Sequence, residues 1–180
     1  METYYTINYL ARKRKRQMRE KIIFYVIGVL LTIVAAFFLT RFCAFGITMR
    51  GDSMKPALDD GQLCIASRLS YLIGSPKKDD IIVFKTSEEG SSYYIKRVVA
   101  VPGETVQILN GKILVNGKEV EAKGNETILS GGLANNKISL KKDQYFVLGD
   151  NYNNSEDSRV SSVGNVTKKN IVGKIKLKLW

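Results

Sequence analysis

Two residues of this 180-residue chain could together open an acyl bond: Ser53, in the polar turn Gly51-Asp52-Ser53-Met54-Lys55-Pro56, and Lys96, in the apolar stretch Tyr94-Ile95-Lys96-Arg97-Val98-Val99. A serine hydroxyl attacks a carbonyl only when a base takes its proton. The chain contains no histidine, so the base is something other than an imidazole, and Lys96 is the best candidate. A free lysine has a pKa of ~10.4 and serves as a base only where burial disfavours its charged form. On a strand, Tyr94 and Val98 share the face of Lys96 while Ile95 and Val99 take the other, so the ammonium stands among apolar groups. A neutral lysine could take the serine proton and return it to a leaving amine. Backbone N–H groups in the turn before Pro56 could hold the oxyanion, a contribution usually worth ~3 to 4 kcal/mol.

The element that decides where Ser53 works lies upstream of it. Ile22–Leu39 is a run of eighteen uncharged residues rich in Ile, Leu, Val and Phe, and as a helix it would span ~27 Å, close to one bilayer core. Seven basic residues (Arg12, Lys13, Arg14, Lys15, Arg16, Arg19, Lys21) stand before it, and only Arg41 stands just after it. The positive-inside rule then places residues 1–21 in the cytoplasm, 22–40 across the cell membrane in a single pass, and 41–180 outside. A cleavable secretory signal would have a shorter apolar region and a small-x-small site after it. A lipoprotein site at Cys43 fails because Arg41 and Phe42 precede it, and the helix reads as an uncleaved anchor. Ser53 follows Thr40 by 13 residues, so it lies at most ~45 Å from the membrane surface.

Beyond the anchor no segment sustains a 3.6-residue apolar period, while short runs of β-branched and aromatic residues recur between turn signals. The fold class is therefore mainly β, a single N-terminal transmembrane helix followed by an all-β, largely antiparallel domain. Strands are predicted at 62–67, 80–84, 93–101, 105–109, 113–115, 145–148 and 171–179. Asn110-Gly111 and Asn116-Gly117 suit two-residue hairpin turns and predict a tight meander from Thr105 to about Val120. Residues 121–143 are polar and glycine-rich, which reads as a flexible excursion with at most one short strand.

Composition narrows the function classes. The 28 basic and 17 acidic residues give a net charge of +11, but the excess concentrates beside the apolar run, which favours a membrane surface over nucleic acid. With two cysteines, Cys43 and Cys64, and no histidine, no disulfide framework and no metal site is expected. The cysteines read as free, buried small hydrophobes.

Three separated stretches share one pattern. Ser53-Met54-Lys55-Pro56-Ala57-Leu58, Tyr94-Ile95-Lys96-Arg97 through Pro102-Gly103, and Gly149-Asp150-Asn151 through Ser155-Glu156-Asp157-Ser158-Arg159 resemble, in that order, the motifs of the type I signal peptidases. These are membrane-anchored serine proteases with a Ser-Lys dyad. The resemblance implies Ser53 as nucleophile, Lys96 as general base and Ser155 as the residue that orients the lysine by hydrogen bonding. Gly51 and Ser53 would frame the oxyanion site. Asp150, Asp157, Arg97 and Arg159 fall where the family makes structural ion pairs. Met54, Leu58, Tyr94 and Ile95 fall where it lines shallow pockets for the small side chains at −1 and −3 of a signal peptide. No cofactor is implied, and the partners would be exported preproteins and the lipid bilayer. Ala57 and Tyr152 depart from the family pattern, which commonly has threonine and arginine there. The short 121–143 segment makes this a compact form.

Taken singly, each feature has a plainer meaning: a turn serine, a basic step on an edge strand, an Asx turn at Asp150-Asn151 and a loop ion pair worth ~0 to 1 kcal/mol. Their joint occurrence in one order is what favours the enzyme. The alternative function is a catalytically weak or silent relative that binds or chaperones a secreted or pilus-like subunit, whose expected mark is loss of the serine or the lysine. Both are present.

Overall fold

The computed structural model describes residues 2–86, 92–124 and 126–179. It divides into two compact units, residues 1–41 and 42–180. The first is the helix α1 (Glu2–Cys43). It is longer than the predicted 22–40 because the charged residues ahead of the apolar run are good helix formers and Arg16 pairs with Glu20 one turn on, at 3.0 Å. Within it, residues 14–38 form the one helix among the described residues long and apolar enough to cross a membrane. Phe24, Leu31 and Phe37 along it are exposed. The Thr32 hydroxyl donates to the Gly28 carbonyl at 2.9 Å, so its polar group is satisfied inside the helix.

The second unit is a β domain of two antiparallel sheets. The larger contains β1 (Ala44–Thr48), β2 (Leu63–Ser67), β3 (Ile81–Lys85), β4 (Tyr93–Ala100), β9 (Gln144–Leu148), β10 (Val166–Thr167) and β11 (Ile171–Lys178), in the order β1-β2-β11-β3-β4-β9-β10. The smaller holds β5 (Thr105–Leu109), β6 (Lys112–Val115), β7 (Lys118–Glu119) and β8 (Ile138–Ser139), in the order β7-β6-β5-β8. A one-turn helix, α2 (Leu69–Ile73), follows β2. Both hairpins of the meander turn as predicted: Asn110 and Gly111 have φ of 50° and 75°, and Asn116 and Gly117 have 54° and 76°.

The predicted strands fall within two residues of β2, β3, β4, β5, β6, β9 and β11. Strand β7 is the third strand of the expected meander, and β1 and β10 lie outside the expected strands. Residues 121–143 hold one short strand, β8, and a 3-10 turn at Gly132–Asn135. They bury Ile128, Ala134 and Leu140 in the same core as Val106, Ile113, Phe146 and Leu148, so their few apolar residues pack the segment onto the smaller sheet. Cys43 and Cys64 are free, and Cys64 is fully buried.

Candidate active site

Ser53 stands on the loop that joins β1 to β2. The loop is closed at its base, where the Met49 N–H donates to the Gln62 carbonyl (2.9 Å) and the Gly61 N–H to the Met49 carbonyl (3.0 Å). Gly51, at φ +76°, makes the reversal that an L side chain rarely adopts. Its N–H donates to Asp60 Oδ1 at 2.7 Å, so that amide is already engaged rather than open to an oxyanion. The Ser53 N–H has no acceptor among the described residues. Beyond the serine, Lys55 N–H bonds the Asp52 carbonyl (3.1 Å), Leu58 N–H bonds the Met54 carbonyl (3.0 Å), and Lys55–Pro56 is cis. Met54 and Leu58 drop into a core with Cys64, Ala66, Val83 and Ile95, and that burial anchors the backbone on which Ser53 stands.

Lys96 reaches the serine from β4. That strand pairs with β3 along one edge through residues 93–97, while along its other edge β9 joins only from Arg97 onward. Lys96 sits just ahead of where β9 joins, and that unpaired stretch of edge leaves room for the Ser53 turn. Lys96 Nζ donates to Ser53 Oγ at 2.6 Å and is 4% exposed. Burial lowers its pKa to about 8; Asp157, Glu156 and Asp150 oppose the shift, and Arg159 adds to it. About a tenth of such lysines are neutral at pH 7, against fewer than one in a thousand for a free one. In the neutral form the same contact lets Nζ accept the hydroxyl proton.

The segment 149–159 braces this pair. The Asn151 N–H donates to the Ser53 carbonyl (3.1 Å) and Asn151 Nδ2 to the Asp52 carbonyl (3.2 Å). A Cβ on Gly149 would collide with Ser155 Oγ and the Ser53 carbonyl oxygen, so only glycine lets the chain leaving β9 pass this close. Arg97 grips Asp150 through two bonds, of 2.8 and 2.6 Å. Arg159 grips Asp157 likewise, both at 2.8 Å, and Asp157 also accepts from the Gly149 N–H at 3.1 Å. Asp157 is fully buried and Arg159 nearly so, and each is satisfied by several partners, as a buried ion pair requires. These four residues stand as two ion pairs in the segment that braces Ser53 and in the strand that carries Lys96.

Three expectations need correction or amendment. Met54 and Leu58, at 0% and 1% exposure, face the core instead of lining a pocket, because the turn after Ser53 points them inward. The Ser155 hydroxyl is buried and makes no hydrogen bond among the described residues; the expected bond to the lysine is not formed, and Nζ is engaged by Ser53. Gly51 contributes its turn and not its amide, as given above. Tyr94 and Ile95 do line a groove of about 630 Å³ that ends at Ser53 and Lys96. Its opposite wall is Ile47, Thr48, Met49 and Arg50, which the sequence reading missed with β1. From β1 through β2, β11 and β3 to β4 each pairing is antiparallel, so β1 and β4 run parallel, both towards the Ser53–Lys96 pair.

A serine hydroxyl held against a buried lysine at the end of a two-strand groove is an arrangement for activating a hydroxyl against an extended peptide. The family model described as signal peptidase, peptidase S26, matches residues 22–180. The chain belongs to the signal peptidase family. It is 31% identical to Signal peptidase I P of Bacillus subtilis subsp. natto, over 89% of this chain and 90% of that one. It is also 31% identical to Signal peptidase IB of Staphylococcus aureus strain COL, over 91% and 92%. A crystal structure of a signal peptidase I from Enterococcus faecalis V583 superposes with a TM-score of 0.48 at 27% identity, covering 57% of this chain and 98% of that one.

The two departures from the family pattern now have structural settings. Tyr152 is buried, and its hydroxyl accepts from the Lys123 and Gly124 N–H groups at 2.9 and 3.1 Å, tying residues 123–124 to the bracing segment. The Ala57 carbonyl accepts from Lys178 Nζ at 3.0 Å, a backbone contact that does not depend on the side chain at 57. Asn151 is the site residue whose role sequence reasoning missed. It lay inside a quoted motif, where an Asx turn accounted for it.

Proposed function

We propose that this chain removes signal peptides from exported preproteins, cutting after small-x-small sites of the Ala-x-Ala kind at the outer surface of the cell membrane. The observation that carries the reading is the 2.6 Å contact between Ser53 Oγ and a buried lysine amine. The preprotein lies in the groove as an added strand between residues 47–50 and 93–96. Neutral Lys96 takes the hydroxyl proton as Ser53 Oγ attacks the scissile carbonyl carbon. The Ser53 N–H, with no acceptor of its own, faces the charge on the oxyanion. As the tetrahedral intermediate collapses, the Lys96 ammonium gives the proton to the leaving amine, and the mature chain departs with its new N-terminus. Lys96 then deprotonates a water that hydrolyses the acyl-Ser53 ester, freeing the signal peptide and restoring the serine. Asn151 and the Arg97–Asp150 and Asp157–Arg159 pairs hold the geometry.

The groove's walls are half apolar, Ile47 and Ile95 among them, which suits apolar side chains such as alanine at −1 and −3. The test is a preprotein with Ala at both positions, incubated with the full chain in detergent, its new N-terminus located by mass spectrometry. Cleavage directly after the second alanine, abolished when −1 becomes Phe, is expected. Equal cleavage with Phe at −1 would sink the small-x-small reading.

A further inference from the structure

One acidic side chain enters the groove whose only part so far is to oppose the lowering of the Lys96 pKa. Glu156 lines it together with Ser53 and Lys96. It is exposed to solvent, and its Oε1 accepts a hydrogen bond from Ser162 Oγ at 2.7 Å, which holds the carboxylate in place. The groove's long walls come from β1 and β4 and run parallel towards the serine. Glu156 belongs to neither wall. It comes from the segment 149–159, which meets the groove at its Ser53 end, where Asn151 N–H holds the Ser53 carbonyl. A peptide laid between the walls with its scissile carbonyl at Ser53 has its earlier residues along those walls. The residues after the cut leave past Glu156. Among the described residues, the other charged side chains on the groove are Arg50, on the approach to the serine, and Lys96 itself.

We infer that Glu156 is a specificity-determining residue, selecting positive over negative charge in the first residues of the mature chain, immediately after the cut. This rests on the cleavage reading given above. An exposed charge pair is worth a fraction of a kcal/mol up to about one, and exchanging a basic for an acidic residue replaces attraction by repulsion, so selection is roughly three- to tenfold. Salt weakens it, because both charges are in solvent. Discrimination built from a repulsive element costs the favoured substrate nothing.

The experiment compares kcat/KM of the full chain in detergent for Ala-x-Ala peptides carrying Lys or Glu at the two positions after the cut. At low salt the Lys peptide is expected to be cut about three to ten times faster. The ratio falls towards one in Glu156→Gln and inverts in Glu156→Lys. Ser162→Ala, which frees the carboxylate without removing its charge, lowers the ratio partway. An unchanged ratio in Glu156→Gln, or a charge preference that resides at −2 instead of after the cut, overturns the inference and leaves the cleavage reading standing. The Kd values of the same peptides for the Ser53→Ala protein separate the two claims. A Glu156-dependent Lys preference in binding supports the inference even if the parent cuts nothing, whereas that failure to cut would end the cleavage reading.

Discussion

A lysine 4% exposed beside a serine hydroxyl is costly to keep charged, and its two consequences can be measured separately. The first is kinetic. With a pKa of about 8, the neutral fraction of Lys96 rises about tenfold per pH unit below 8 and levels off above it. The pH profile of kcat/KM for an Ala-x-Ala peptide is expected to follow that curve between pH 6 and 9; a flat profile contradicts a lysine base. The second is thermodynamic. Between the folded value of about 8 and the unfolded value of ~10.4, the unfolded chain binds the extra proton, so stability rises with pH across that window. The gain is at most about 3 kcal/mol. Lys96→Met removes the slope. Denaturant titrations at pH 7 and pH 10 should therefore show the parent gaining stability relative to Lys96→Met at the higher pH, and an equal offset at both would mean the amine is not buried as described.

At the scale of elements, the segment 149–159 does for the site what β4 alone cannot: it fixes the backbone of the serine. Gly149→Ala forces a methyl group against Ser155 Oγ and the Ser53 carbonyl, so peptide cleavage is expected to drop by at least about tenfold while the far hairpins are untouched. Circular dichroism of the fold beside the rate separates that from general unfolding. Asp157→Ala leaves Arg159 buried without its partner and is expected to cost roughly 3 to 5 kcal/mol in denaturant titration; a loss below about 1 kcal/mol would show that the pair is solvated. The sequence made Ser53, Lys96 and the two ion pairs legible because each lies in a motif of ordered spacing, and made the Asn-Gly hairpins legible because the turns demand positive φ. It hid β1, whose residues Ala44-Phe45-Gly46-Ile47-Thr48 follow the apolar helix without a break and carry a glycine that weakens a strand signal. It hid β10 because two residues carry no period at all. The inward turn of Met54 and Leu58 was illegible for a different reason, since which way a loop side chain points is settled by the core it meets.

For the molecule as a whole, the proposed function makes the apolar helix a tether for the β domain. A signal helix in the same bilayer would then present its cleavage site near the surface, and holding both partners on one membrane would raise their effective concentration. The expected orientation has residues 1–21 inside and the β domain outside. In a Cys43→Ser, Cys64→Ala background, a cysteine at Lys118 should react with a membrane-impermeant maleimide on intact cells and a cysteine at Arg14 should not. The reverse pattern would invert the topology and remove the preprotein's route to Ser53. The most direct measurement of the central claim is cleavage of one Ala-x-Ala preprotein by the parent chain, Ser53→Ala and Lys96→Met side by side in detergent, with folding checked for all three. The account predicts a cut after the second alanine by the parent and a loss of at least about a thousandfold in each variant. Cleavage by a folded Ser53→Ala or Lys96→Met protein at the parent's rate would contradict it.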